Sequence, residues 1–137
     1  MGAVDEPPVK RPVTAEEAPP PGGAYSQAIQ VGGFVFVSGQ TPRDRERNII
    51  DGSFKDQVRQ VIENLEAVAR AAGSTLADAV SVRVYLKDWG QFDEMDAVYR
   101  EMFPEPRPAR TTIQSNLPVD VEIEAIFWKA NSGREVT

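Results

Sequence analysis

The chain has 137 residues, the length of one domain, and a domain of that size buries roughly two thirds of its unfolded surface, enough for a core without staples. Its net charge of −6, from 21 Asp and Glu against 15 Lys and Arg, argues against a general nucleic-acid binder, which must attract phosphate. The absence of cysteine and histidine excludes a disulfide framework, a thiolate nucleophile, a Cys/His zinc site and a His-based triad, leaving carboxylates, Arg or Lys, hydroxyls, backbone amides and water for any catalysis.

The start, Met1-Gly2-Ala3-Val4-Asp5-Glu6, lacks the apolar run of a signal peptide, and Glu6 stands where an N-myristoylation motif wants Ser or Thr. The apolar stretches are too short to span a bilayer, so no membrane association and a cytoplasmic location are expected. Residues 1–24 hold six of the eleven prolines and end in Pro19-Pro20-Pro21-Gly22-Gly23. Proline cannot donate to a hydrogen-bond ladder, so this segment reads as an extended arm contributing little to a core. The domain proper is expected over residues 25–129, followed by a polar tail at 130–137.

From Tyr25 the pattern becomes regular. Tyr25–Val31 and Phe34–Ser38 flank Gly32-Gly33, a pair that adopts the positive φ of a tight hairpin turn. The polar stretch Arg43–Gly52 reads as a loop, with room for a short strand near Asn48–Ile50. Ser53 and Asp56 form a capping box, and Phe54, Val58, Val61, Ile62, Leu65 and Val68 share one face of the helix that follows, with Gly73 placed to end it. Ala79–Leu86 alternates and is β-branched, hence a strand. A second helix begins at Asp88, carries the stripe Phe92, Met95, Val98, Tyr99, Met102 and Phe103, and stops before Pro104, Pro106 and Pro108. Strands at Ala109–Gln114 and Val121–Lys129 close the domain around the turn Leu117–Asp120.

The order β-β-α-β-α-β-β describes an α+β fold, a mixed sheet with two helices on one face. Phe34–Val37 and Ile123–Trp128 are too apolar for the other face to meet water, which predicts a homo-oligomer.

Arg110 opens a strand of small and apolar neighbours, where its guanidinium fork suits a bidentate carboxylate; an edge-strand arginine in a surface ion pair is the plainer alternative. Glu122 and Glu124 lie two apart on one strand and so face the same side; a solvent-facing pair is the plainer alternative, at least for one of them, and a carboxylate near a bound imine is suited to position or activate a hydrolytic water. Alternation does not say which. Ser38 and Gly39 end a buried strand, the glycine allowing close approach of a ligand; without a histidine base, the serine fits binding better than nucleophilic attack. The Tyr25 phenol is placed either to donate to a ligand or to pack on the sheet. Arg43, Arg45 and Arg47, and the acidic stretch Asp88–Asp96, read as solvated faces. No phosphate loop, metal-ligand constellation or internal repeat is present.

Four runs in order, Gly23-Ala24-Tyr25-Ser26-Gln27, Phe36-Val37-Ser38-Gly39-Gln40-Thr41-Pro42, Pro108-Ala109-Arg110-Thr111-Thr112 and Glu122-Ile123-Glu124-Ala125, resemble the Rid family (RidA, also called YjgF). The likeness covers roughly residues 18–129. It implies a chorismate-mutase-like fold, a homotrimer with ligand clefts between subunits, and cofactor-free 2-iminobutanoate/2-iminopropanoate deaminase activity on imines released by pyridoxal-phosphate enzymes. It further implies that Arg110 grips the substrate carboxylate and that Glu122 helps hold the attacking water. Tyr25, Ser38 and Gly39 line the cleft in this reading, with Tyr25 reaching a neighbouring subunit's site. The chain departs from the best-known pattern in having Thr112 for a cysteine, Asp96 for an asparagine, and a shorter turn between Arg110 and Glu122; Thr112 retains a backbone role. The rival readings are a non-catalytic module binding small carboxylates or partner proteins in the same cleft, and RNA cleavage.

Overall fold

The computed structural model describes residues 9–129. Within them the chain runs β1 (Arg11–Val13), β2 (Ala28–Val31), β3 (Phe34–Gln40), α1 (Phe54–Ala71), β4 (Ala79–Leu86), α2 (Phe92–Met102), β5 (Ala109–Gln114) and β6 (Val121–Trp128). The Gly32-Gly33 hairpin forms with Gly32 at φ 57°, and the Ser53/Asp56 capping box opens α1 with both reciprocal hydrogen bonds in place. Asp88 caps a short 3-10 turn over Trp89–Gln91, so the second helix proper starts at Phe92, later than the sequence predicts. The short strand expected near Asn48–Ile50 is reduced to a single bridge between Arg43 and Ile49.

The strands form one sheet in the order β1-β2-β3-β6-β4-β5, antiparallel throughout except for the parallel pair β4/β5. Both helices bury their apolar stripes on one face of it. Val58, Val61, Ile62, Leu65 and Val68 of α1 meet Val35, Val82, Val84, Ile123 and Phe127 from the strands, and Met95, Val98 and Phe103 complete the layer. Each such side chain contributes about 1.5–3 kcal/mol on burial. The opposite face carries Phe34, Phe36, Ile113 and Trp128 at 41–46% exposure, with the Phe34 and Trp128 rings 5.1 Å apart edge to face.

The proline-rich segment read as an arm is, from Arg11 onward, part of the sheet. Arg11, Pro12 and Val13 pair with Gln30, Ile29 and Ala28, and Val13, Ala15 and Ala18 are buried. Proline is tolerated because β1 is an edge strand, where only one side of the backbone needs partners. The buried Gln27 side chain ties the segment down: its Oε1 accepts from Ala15 N–H (2.7 Å) and its Nε2 donates to the carbonyls of Ala15 (3.0 Å) and Pro19 (2.8 Å). The first part of the expected arm and the polar tail at 130–137 lie outside the described residues. No helix among the described residues is long and apolar enough to cross a membrane.

Candidate active site

The predicted site residues fall into two groups on opposite faces of the sheet. Arg110 lies in register with buried Val82 on β5, at the sheet edge, and points to the helix-covered side. Its Nη1 donates to Asp96 Oδ1 on α2 (2.8 Å), and the guanidinium carbon sits 4.6 Å from the Tyr99 ring centroid and 5.4 Å from that of Phe92. Thus Arg110 makes an ion pair, as the plainer reading has it, but its side chain is only 20% exposed and is cradled by two aromatic faces. Asp96 Oδ2 in turn accepts from Arg100 (3.1 Å). Burial opposes the charge on Asp96, but hydrogen bonds and charge from Arg110 and Arg100 outweigh it and hold the carboxyl below the usual range. Burial pushes the neighbouring Tyr99 phenol up to about 12, against the pull of Arg110. Thr112 follows two residues along β5, with a buried Oγ1 that has no partner among the described residues. Asp96 fixes one edge of the Arg110 fork and leaves the remaining N–H groups for a carboxylate arriving at the sheet edge.

The second group gathers on the open side. Glu122 alternates with buried Val121 and Ile123 on β6 and so projects away from the helices, two strands removed from Arg110. It lines a cavity of about 190 Å³ together with Tyr25, Gly39, Arg43, Arg47 and Pro118. The β3 register shifts between Val37 and Gln40, which brings the Gly39 backbone against the carboxylate; a Cβ there would overlap Glu122 Oε2. The positions differ sharply for the two glutamates. Glu124 accepts from Arg83 Nη1 (3.0 Å) and from the Tyr85 hydroxyl (3.3 Å), whereas among the described residues no cation lies within ion-pairing distance of Glu122. Burial raises the Glu122 pKa above the ordinary carboxylate range; Glu124 pushes it the same way and Arg43 pulls it back. A half-buried carboxylate of raised pKa beside a small cavity has the properties of a general base.

Tyr25 stands at the rim, its hydroxyl accepting from Gly22 N–H (2.9 Å) and keeping its own proton to donate. Ser38 instead donates to the Ser26 carbonyl (2.7 Å) and faces a shallow concavity beside Phe36, Arg83 and Glu124, outside the Glu122 cavity. The residues that the sequence reading takes as solvated and the structure places in the site are Arg43 and Arg47, found in the cavity wall, and Asp96, the ion-pair partner of Arg110. Only Arg45 of that cluster is exposed and paired with an acid, Glu17 at 3.6 Å. Among the described residues no three His, Cys, Asp or Glu side chains gather to hold a metal.

The Endoribonuclease L-PSP family profile matches residues 15–128. The chain belongs to the RidA/YjgF family. A RutC family protein of Pyrococcus horikoshii is 49% identical over 88% of this chain and 99% of its own length. A protein of Dermatophagoides farinae named 2-iminobutanoate/2-iminopropanoate deaminase is 37% identical, covering 85% of this chain and 94% of the relative. The crystal structure of RidA from an Antarctic Psychrobacter superposes with a TM-score of 0.82 at 39% identity, over 86% of this chain and 98% of that one. The fold is the two-helix, mixed-sheet RidA fold expected from the sequence.

Proposed function

We propose that this RidA family member hydrolyses reactive 2-imino acids to 2-keto acids and ammonia, at a site shared between two copies of the chain. The observation that carries the proposal is the Glu122 carboxylate, half-buried, without an ion-pair partner among the described residues and held against Gly39 in a cavity of substrate size. In this reading Arg110, at the sheet edge of one subunit, grips the substrate carboxylate, while Tyr25, Gly39 and Glu122 of the next line the reacting end. The exposed Phe34, Phe36, Ile113 and Trp128 supply the apolar surface for a closed assembly, proposed as a homotrimer.

The chemistry needs no more than these groups. The protonated imine carbon is electrophilic, and the carboxylate held by Arg110 fixes its position relative to the water on Glu122. Water attacks C2 as Glu122 takes its proton. The resulting carbinolamine collapses when Glu122 passes that proton to the nitrogen and then takes the proton of the C2 hydroxyl, so ammonia leaves and the C2 oxygen becomes the keto group. Thr112 contributes through its backbone at the edge of β5, and Ser38 holds the strand geometry that sets Gly39. The name of the Dermatophagoides relative, 2-iminobutanoate/2-iminopropanoate deaminase, supports this reaction class. RNA cleavage draws no support from the site: the chain has no histidine and a net charge of −6.

The test follows ammonia and keto-acid release from freshly generated 2-iminopropanoate and 2-iminobutanoate. Arg110→Ala is expected to lose about 10- to 150-fold in rate, the equivalent of one charge-assisted bond of 1.5–3 kcal/mol, and Arg110→Lys to remain impaired because a point charge does not orient a planar carboxylate. Unaccelerated imine decay with retained keto-acid binding by the wild type favours the non-catalytic binding module instead.

A further inference from the structure

The cavity beside Glu122 holds more positive charge than one carboxylate requires. Arg43 and Arg47 both line it, both are partly buried, and among the described residues neither has a carboxylate within 4.0 Å. Other arginines of the chain are committed: Arg59, Arg70, Arg83, Arg100, Arg107 and Arg110 each sit in an ion pair. Arg43 makes one side-chain hydrogen bond, Nη1 to Thr41 Oγ1 at 3.0 Å, which leaves most of its five N–H groups for a ligand.

The loop that presents these two side chains is built rigidly. Buried Asn64 of α1 donates through Nδ2 to the carbonyls of Thr41 (3.1 Å) and Arg43 (2.9 Å). Asp44 Oδ1 accepts from Glu46 N–H (3.0 Å) and Asn48 N–H (2.9 Å), closing the turn. Arg47 takes φ 69°, a left-handed conformation that glycine or asparagine adopts at lower cost. There its Nη1 donates to the Pro20 carbonyl (2.8 Å) and its guanidinium lies against Gly22, the residue whose N–H meets the rim tyrosine, so it fixes this part of the wall. A long cationic side chain at a position that favours glycine marks a site where the charge itself is wanted.

We infer that Arg43, with Arg47 behind it, forms a second anion-binding subsite, and that the preferred substrates are 2-imino acids carrying an acidic side chain. The inference rests on the imine-hydrolysis reading for the reacting end: Arg110 of a neighbouring subunit takes the carboxylate next to the imine, and Arg43 takes the distal one. The cavity, about 190 Å³, has the volume of about six liquid waters, which matches a short carboxylate-bearing side chain and not a large one. With two arginines against one glutamate, the cavity wall carries one positive charge beyond Glu122, which a distal carboxylate neutralises.

The experiment compares two keto acids of equal chain length, 2-oxoglutarate and 2-oxopentanoate, by calorimetric binding to the wild type, Arg43→Ala and Arg43→Gln. In parallel, turnover of the matching imines is followed as an amino-acid oxidase generates them from glutamate and norvaline. The wild type is expected to bind 2-oxoglutarate about 10- to 100-fold more tightly, one charge-assisted pair's worth, and both variants to lose that ratio by at least about 10-fold. Arg43 makes a single side-chain hydrogen bond, to a threonine two residues away, so the variants keep the wild-type melting temperature and oligomer size. Equal wild-type affinity for the two acids, or an equal loss for both in Arg43→Ala, overturns the subsite. Arg43-dependent selectivity in binding without any acceleration of imine decay leaves the subsite standing and removes the imine-hydrolysis reading, so the two failures are distinct.

Discussion

Replacing Gly39 by alanine isolates the placement of one carboxylate. Gly39 is not among the positive-φ residues, so its backbone accepts alanine, and Gly→Ala at such a position stabilises by about 0.4–1 kcal/mol through the unfolded chain. The added methyl, however, overlaps Glu122 Oε2 and lies 3.1 Å from Cδ and 3.2 Å from Cγ. The glutamate must swing by about 1 Å into the cavity, a displacement large enough to cost on the order of 100-fold in rate when the group positions a reactant. Steady-state imine hydrolysis and thermal melting separate the two effects: kcat should fall about 100-fold while Tm stays within about 5 °C. The double variant Gly39→Ala/Glu122→Gln should be no slower than Glu122→Gln alone, because both changes remove the same function. Wild-type kcat in Gly39→Ala, or fully additive losses in the double variant, refutes the view that the Gly39–Glu122 contact sets the reacting geometry.

Further outcomes follow from the same structure. Deleting residues 1–18 removes two of the three hydrogen bonds of the buried Gln27 amide and uncovers the partners of Val13, Ala15 and Ala18; with about 1–3 kcal/mol per unpaired buried group, Tm should drop by about 5–15 °C in a calorimetric scan. Glu122→Gln should lower kcat more than it weakens keto-acid binding, whereas Glu124→Gln, which breaks a surface contact with Arg83, should leave kcat nearly unchanged. Because burial raises the Glu122 pKa, the folded state holds this proton more tightly than the unfolded chain, and the associated stability is present below the unfolded value and lost as pH rises through the folded one. Melting curves across pH should therefore show Glu122→Gln more stable than wild type at neutral pH and no more stable in acid.

Much of the fold is legible in the sequence where local chemistry and periodicity agree. Ser53 and Asp56, followed by a stripe at helical spacing, specify α1; the β-branched run from Ala79 specifies β4. The edge strand β1 is invisible to periodicity, being three residues long with a proline at its centre. It is held by the side chain of Gln27, a polar residue whose burial depends on the tertiary fold. The division of the site is hidden for a related reason. On β5 the apolar Ile113 suggests that its side is the buried one, yet Ile113 is 45% exposed and Arg110 packs under α2. Alternation orders residues along a strand and leaves open which face of the sheet the helices cover. Likewise, nothing local in Arg43-Asp44-Arg45-Glu46-Arg47 reveals that its first and last members turn inward, because the Asp44 turn and the Asn64 bonds decide it.

The central claim is that Arg110 and Glu122, on opposite faces of one sheet, meet only between subunits. It is tested most directly by mixing two impaired variants, Arg110→Ala and Glu122→Gln, dissociating and reassembling them at equal ratio, and measuring imine hydrolysis. In a closed ring each site takes its arginine from one subunit and its glutamate from the next, so random assembly restores both groups in about a quarter of sites. The account predicts activity rising to about 25% of wild type in the mixture, well above the residual activity of either variant alone. Activity that stays at the level of the separate variants, in assemblies shown to have exchanged subunits, contradicts it.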